Sequence, residues 1–213
     1  MNRRTVLKQL VALGAFASPL ASVLAQQEGS FTVLDPAQPT DDPARIEVIK
    51  FFHYGCPHCA ALAPLIHEWA KAQPQDVRFR HVPVIWNSAQ LQGLARLYYT
   101  AEVSGVLETL HPQIFDAVQK QKRPLHTESG VREWLAGKVA DVGGFMKVYQ
   151  SFGVQSMLQR GNQLAAAMKI NGVPTLVVEG KYLTSSSMAG GHEGAIRVLD
   201  QLVARARRER GKA

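Results

Sequence analysis

Cysteine occurs only twice in this 213-residue chain, at Cys56 and Cys59, three positions apart. A disulfide between them would close a very short loop, which removes little conformational entropy from the unfolded chain. The pair is therefore a poor structural staple and a good candidate for thiol chemistry. Its surroundings favour this interpretation, because the cysteines follow a strongly apolar segment and enclose Pro57.

The residues on either side of the dithiol predict a strand followed by a helix. Residues 46–52 are rich in β-branched and aromatic side chains, as in a strand buried on both faces. After Pro57, which suits a first helical position, apolar residues recur at helical spacing, and Pro64 predicts a kink. Cys56 is then expected at the helix N-terminus, where unpaired N–H groups and the helix dipole favour a thiolate. Cys59 is expected one turn deeper, as the less reactive thiol.

His58, between the two cysteines, sets a direction for the chemistry. A protonated imidazole near Cys56 would stabilise the thiolate further. A stable thiolate stabilises the reduced protein, so the disulfide becomes easier to reduce and the protein becomes a stronger oxidant. A thiol of low pKa is also a good leaving group. The residues therefore favour oxidation of substrates over their reduction.

The rest of the chain predicts an α/β protein with a helical insertion. Residues 88–161 keep helical spacing, and strand patterns stand on both sides of them. Residues 26–87 and 162–213 are therefore expected to form the two parts of one α/β domain. Outside the insertion, the pattern predicts strands near residues 31–34, 77–82, 175–178 and 181–183, and helices over 163–169 and about 193–208. Three tryptophans at apolar spacings are interpreted as core or partly buried cover: Trp69, Trp86 and Trp134.

Val173 and Pro174 form a second candidate element of the site. Pro174 begins a predicted strand, where a residue without a backbone donor is tolerated. A cis bond between Val173 and Pro174 would hold this segment beside the dithiol. The backbone of Val173 would then be placed to pair with an extended substrate.

Residues 1–25 predict an export signal peptide. They contain a basic start with Arg3, Arg4 and Lys8, an apolar run, and small residues suited to cleavage after Ala25. The paired arginines fit a twin-arginine leader, and the general secretory route stays equally open. An uncleaved anchor is the alternative, although the apolar run is short for a bilayer span. Without the leader, 21 Lys and Arg stand against 17 Asp and Glu, a mild surplus that indicates no nucleic-acid partner.

These features together resemble the DsbA family. The resemblance rests on Cys56-Pro57-His58-Cys59 after Phe51-Phe52, a long helical segment, and then Gly172-Val173-Pro174 and Gly180-Lys181-Tyr182. It covers about residues 31–202 and implies a thioredoxin fold, with a central mixed sheet, interrupted by the inserted all-helical domain. It also implies a periplasmic oxidase that donates its disulfide to unfolded or newly exported proteins and is reoxidised by a DsbB-type, quinone-linked membrane partner. No bound cofactor is implied, and a monomer is the default expectation.

Lys50 departs from the pattern of these relatives. It stands six residues before Cys56, where thioredoxin relatives usually carry a buried acid that assists proton transfer to the second cysteine. A lysine cannot play the part of the acid in the same way. If Lys50 is buried near the sulfurs it adds to the stabilisation of the thiolate, and if it turns away nothing follows. The sequence predicts its strand but not its direction.

Two other functions remain open at this point. A disulfide reductase or isomerase would need a less acidic Cys56 and a supply of electrons. A binding module would be either a peptide-holding chaperone or a metal carrier that uses the cysteines with a nearby histidine such as His53, His58 or His67. A structural zinc usually needs four converging ligands, and the helix-initiating Pro57 favours the dithiol, so no metal site is assigned.

Overall fold

The computed structural model describes residues 29–211, and its centre is a five-stranded mixed sheet with the strand order β1-β5-β4-β2-β3. The strands are β1 (Thr32–Val33), β2 (Ile46–Phe52), β3 (Val77–Pro83), β4 (Thr175–Val178) and β5 (Tyr182–Ser185). β2 and β3 are parallel, whereas the pairs β2–β4, β4–β5 and β5–β1 are antiparallel. The predicted signal peptide, residues 1–25, lies outside the described residues.

Seven helices are formed within the described residues. They are α1 (Pro57–Lys71), α2 (Ala89–Val103), α3 (Leu107–Gln119), α4 (Glu128–Leu135), α5 (Val142–Tyr149), α6 (Phe152–Ala167) and α7 (His192–Glu209). α1 connects the parallel strands β2 and β3, and α2–α6 all lie between β3 and β4 in the chain. None of the helices between residues 29 and 211 is long and apolar enough to cross a bilayer.

Strand β2 organises the core because both of its faces are covered. Ile46 and Val48 pack with side chains of α1 and α7, whereas Ile49 and Phe51 face a separate cluster that includes Ala165 of α6. This alternation follows from the two-residue period of a strand. It explains why residues 46–52 are almost uninterruptedly apolar. At the end of the strand, Phe52 enters a third cluster, formed largely by the helical segment.

Helix α6 joins the helical segment to the sheet, since it packs against both α2 and β3. Gly161 permits the close approach to α2, because a Cβ there would collide with the hydroxyl of Tyr99. The helix is continuous from Phe152 to Ala167. The expected boundary between residues 161 and 162 therefore falls inside a helix, and the separate helix expected over 163–169 is the C-terminal part of α6. The spacing of apolar residues did not reveal one continuous helix, because the two halves of α6 turn their apolar residues toward different packing partners, α2 and β3.

Two aromatic residues are more exposed than their apolar spacing suggests. Phe152 continues the apolar spacing of α5, but Ser151 caps a new helix by accepting a hydrogen bond from the N–H of Val154. Phe152 is consequently the first residue of α6 and is 84% exposed. Trp86, expected in the core or as partly buried cover, is instead 41% exposed, although its indole N–H donates to the carbonyl of Ile170 at 3.0 Å.

Candidate active site

The two cysteines lie at the start of α1, a few residues after β2 ends. Cys56 is the N-cap residue, with φ −89° and ψ 114°, and its Sγ accepts a hydrogen bond from the backbone N–H of Cys59 at 3.2 Å. Pro57 occupies the first turn, where its missing N–H leaves no donor unpaired. Cys56 is 7% exposed and Cys59 is fully buried, and both are free thiols, so the structure represents the reduced dithiol.

The surroundings of the two sulfurs drive their pKa values apart. The hydrogen bond from the Cys59 side chain is the largest cause that lowers the pKa of Cys56, to about 6. Burial opposes it, whereas the backbone N–H groups of Cys59 and His58 and the charge of His58 lower the pKa further. Burial raises the pKa of Cys59 far above its usual range, and the neighbouring Cys56 raises it further. Cys56 is thus the thiolate of the pair, and Cys59 holds its proton.

The segment before β4 lies against the dithiol. The Val173–Pro174 bond is cis, as expected from the sequence, and the thiol of Cys56 points to the carbonyl oxygen of Val173 at 3.5 Å. The hydroxyl of Thr175 donates to the carbonyl of Gly172 at 2.7 Å, which ties down the turn on the other side of the proline. The structure therefore brings Val173 and Pro174 to the reactive cysteine, although their role toward a substrate stays a prediction.

His58 is exposed beside Cys56, and its nearest aromatic neighbour was not anticipated. The ring of His192, the first residue of α7, lies 6.1 Å from the ring of His58. The Nδ1 atom of His192 is 2.8 Å from the hydroxyl of Ser186, which fixes the ring at the rim of the site. Within residues 29–211, no three His, Cys, Asp or Glu side chains converge in a manner suited to a metal ion.

Lys50 is buried and points toward the dithiol side of the sheet. It has no exposed surface, and its Nζ donates a hydrogen bond to the carbonyl oxygen of Cys59 at 3.3 Å. Burial lowers the pKa of Lys50 to about 8, against the opposing influence of the Cys59 and Cys56 sulfurs. Of the two directions that the sequence left open, the structure has the one facing the sulfurs.

Gln119, at the end of α3, supports the site and was missed by the sequence analysis. Its Nε2 donates to the carbonyl of Tyr54 at 2.8 Å and to that of Cys56 at 2.9 Å. It thereby ties the turn that carries the dithiol to the helical segment. No sequence signal marks this residue, because its contacts join positions more than sixty residues apart and depend on how α3 packs.

A cleft of about 1140 Å³ opens between α1 and α3, next to the site but not at the sulfurs. Neither cysteine lines it. Its walls include Pro64 and His67 of α1, His111 and Phe115 of α3, and His81 of β3. The reactive thiol lies instead at the helix terminus beside Val173.

The sheet is mixed, a Cys-x-x-Cys pair opens the helix that follows β2, and the Val173–Pro174 segment lies beside the pair. This arrangement defines a dithiol–disulfide protein of the thioredoxin fold. Comparison with known proteins narrows this class. Residues 47–195 match the family model described as a DSBA-like thioredoxin domain. The chain therefore belongs to the DsbA family and is a thiol:disulfide oxidoreductase.

Individual relatives agree along nearly the whole chain. The thiol:disulfide interchange protein DsbA of Bordetella parapertussis is 38% identical, with 98% of this chain and 100% of the relative covered. The protein of the same name from Azotobacter vinelandii is 39% identical, with 91% and 90% covered. Among solved structures, Pseudomonas aeruginosa DsbA superimposes with a TM-score of 0.83 at 33% identity, covering 86% of this chain and 95% of that one.

Proposed function

We propose that the protein is a periplasmic dithiol oxidase that donates its Cys56–Cys59 disulfide to newly exported proteins. The observation that carries this proposal is the asymmetry of the two sulfurs. Cys56 is held as a thiolate at the start of α1, whereas Cys59 is buried and keeps its proton. Because the thiolate stabilises the reduced protein, the disulfide is easy to reduce and therefore strongly oxidising. DsbA proteins are a known example of this relation, since a low thiol pKa accompanies an oxidising disulfide in them.

Exchange proceeds in two balanced steps. A substrate thiolate attacks Cys56 Sγ of the oxidised protein, a bond forms between these two sulfurs, and the Cys56–Cys59 bond breaks with its electron pair passing to Cys59. A second substrate thiolate then attacks the substrate sulfur of the mixed disulfide, and Cys56 leaves as a thiolate. The substrate loses two electrons and two thiol protons, and the electrons reduce the protein disulfide. The low pKa of Cys56 favours its departure in the second step.

The residues around the sulfurs take supporting roles in this scheme. Pro57 starts the helix, and the charge of His58 favours the thiolate of Cys56. Val173 and Pro174 present the substrate, since an extended chain that pairs with the backbone of Val173 would bring its cysteine to Cys56. Main-chain pairing of this kind suits substrates that differ in sequence.

The remaining parts of the proposal concern location and partners. Residues 1–25 would direct export and be removed, and the substrates would be unfolded or newly exported proteins with free cysteines. A DsbB-type, quinone-linked membrane oxidase would restore the disulfide. The chemistry would reside in a thioredoxin-fold domain formed by the segments on either side of the helical insertion, with α6 spanning the boundary expected between residues 161 and 162. The protein would act as a monomer without a bound cofactor.

The decisive experiment combines the thiolate titration of reduced protein with its equilibrium against glutathione. We expect Cys56 to titrate near pH 6, well below the roughly 8.5 of a free thiol. The glutathione equilibrium should favour the reduced protein. A near-normal pKa together with a thioredoxin-like potential would exclude the oxidase while leaving the family unchanged, and would favour a reductase or isomerase.

A substitution test separates chemistry from binding. Oxidation of a reduced peptide, measured with a metal chelator present, should be lost in Cys56→Ser, since the Cys56–Cys59 disulfide that accepts the electrons can no longer form. Cys59→Ser mixed with the disulfide form of the peptide should instead form a mixed disulfide, because the Cys56 thiolate attacks the peptide disulfide, one peptide sulfur leaves as a thiolate, and no Cys59 is present to release the other. Activity that survives Cys56→Ser would show that the protein is not acting as a dithiol oxidase.

A further inference from the structure

Lys50 is a buried cation that the exchange scheme above does not use. It lies in the middle of β2, opposite His81 on β3 and Leu176 on β4, and none of its surface reaches solvent. Its ammonium hydrogen-bonds the carbonyl of Cys59. Within the described part of the chain, no ion pair includes Lys50. A buried charge without a counter-ion is costly, so its position calls for a physical reason.

The two sulfurs are the groups that partly offset the cost of burying the charge of Lys50. The negative charge that Cys59 and Cys56 can carry raises the pKa of Lys50, against the larger lowering by burial. The effect is mutual, because the charge of Lys50 lowers the pKa of Cys59, against the larger raising by burial. In the oxidised protein both sulfurs are uncharged, and this support disappears. Reduction of the disulfide and protonation of Lys50 are therefore linked.

Other titratable groups come from most of the elements packed around this side of β2. They are His67 on α1, His81 on β3, Glu102 on α2, His111 on α3, and His53 and Tyr54 after β2. Burial lowers the pKa of His53. β4 contributes Leu176, and α7 packs apolar side chains such as Leu199 in the adjoining core. Burial lowers the pKa of His111 to about 3 and that of His81 well below its usual range, so both imidazoles are neutral near pH 7. Lys50 remains as the charged donor on the Cys59 side.

We propose that Lys50 is the proton-transfer partner of Cys59, and that its charge makes the Cys56–Cys59 disulfide a stronger oxidant. When substrate sulfur attacks Cys56, the electron pair of the breaking bond arrives on Cys59 beside the ammonium group. Lys50 stabilises this thiolate and gives it a proton, so Cys59 becomes a thiol and Lys50 a neutral amine. The amine regains its proton from water. In the reverse direction, during reoxidation, the neutral amine takes the proton from Cys59 before that sulfur forms its bond.

The inference rests on the proposed dithiol exchange and deepens it. A buried acid can pass a proton to a second cysteine, but its carboxylate form then repels a nearby thiolate. An ammonium group passes the proton and attracts the thiolate at once. The lysine therefore serves an oxidising site better than a carboxyl would at the same place.

The test compares wild type with Lys50→Met, which keeps an unbranched side chain of similar length without charge or proton. The first measurement is the single-turnover rate at which a small thiol reduces the protein disulfide, followed over pH. We expect Lys50→Met to slow this step about tenfold or more, since positioned proton transfer typically contributes factors of about one hundred to ten thousand. The pH dependence that reflects Lys50 should vanish. The glutathione equilibrium should shift toward the disulfide, and Cys56 should still titrate as a thiolate.

Two further variants keep the test decisive. Lys50→Gln repeats the measurement with a smaller polar side chain in case methionine does not pack. Lys147→Met removes an exposed lysine from α5 and should change neither rate nor equilibrium. If a folded Lys50→Met or Lys50→Gln protein reduces at the wild-type rate with an unchanged pH profile, the inference is wrong. The oxidase assignment is tested separately, by the glutathione equilibrium of the wild-type protein. A weakly oxidising wild-type disulfide would overturn that assignment, whereas the role of Lys50 is judged from the difference between wild type and variant.

Discussion

Strand β2 carries two buried charged residues, of which one has an ion-pair partner among residues 29–211 and the other does not. Glu47 has a fully buried side chain, and Arg80 on the neighbouring strand donates to both of its carboxylate oxygens, at 3.0 and 3.2 Å. Lys50, three residues later, donates only to a main-chain carbonyl in the contacts described. A paired charge of the first kind fixes strands against each other. An uncompensated charge of the second kind opposes folding and is retained where chemistry needs it.

The largest effect on stability is expected from Glu47→Gln. Removing one partner of a buried ion pair typically costs about 3–5 kcal/mol, because the other charge stays behind. Arg80 keeps some access to solvent and a second contact with Asp41, so we expect a loss of about 2 kcal/mol in the free energy of unfolding, measured by denaturant titration. The rate of disulfide reduction should not change. A fall in that rate comparable with Lys50→Met would erase the distinction between the two charges.

A smaller effect of opposite sign is expected from Lys50→Met. Replacing buried charge by a well-packed apolar group is often stabilising, by about 1–4 kcal/mol. We expect about 1 kcal/mol, near the low end, because the hydrogen bond to Cys59 is lost. Denaturant unfolding of the oxidised protein measures it best, since no thiolate then offsets the charge. A destabilised Lys50→Met would mean that Lys50 holds the sheet together as Glu47 does.

The sequence was sufficient for whatever is encoded within a few neighbouring residues. The apolar run before Cys56, the proline after it and the three-residue spacing predicted the strand, the helix start and the unequal thiols. Val173-Pro174 was recognised because a proline at a strand start is itself a local signal. These features are set by backbone preferences and by the period of each element.

The sequence was insufficient wherever a contact joins distant segments. The direction of Lys50 is decided by which face of β2 meets α1, and a buried strand is apolar on both faces, so alternation does not reveal it. Gln119 reaches the dithiol only because α3 packs beside it. The partnership of His192 with His58 depends likewise on where α7 begins.

The smallest predicted effect tests the titration of Lys50 directly. The pKa of Lys50 is about 8 in the folded, reduced protein against 10.5 for an ordinary lysine. Between these pH values the unfolded chain binds the extra proton, so this lysine makes stability rise with pH. Below about pH 8 both states are protonated, and the full cost of burying the charge is present. Lys50→Met lacks this titration.

The stability advantage of reduced Lys50→Met over reduced wild type should therefore be constant below about pH 8 and shrink toward pH 10.5. Denaturant titrations over this range, performed without oxygen, measure the difference, and the titrations of the thiols and tyrosines, present in both proteins, largely cancel. Glu47→Gln provides the contrast, because its difference from wild type should not follow this window. An advantage that stays constant through the window would mean that Lys50 keeps its proton throughout, as a fixed charge rather than as a partner in proton transfer.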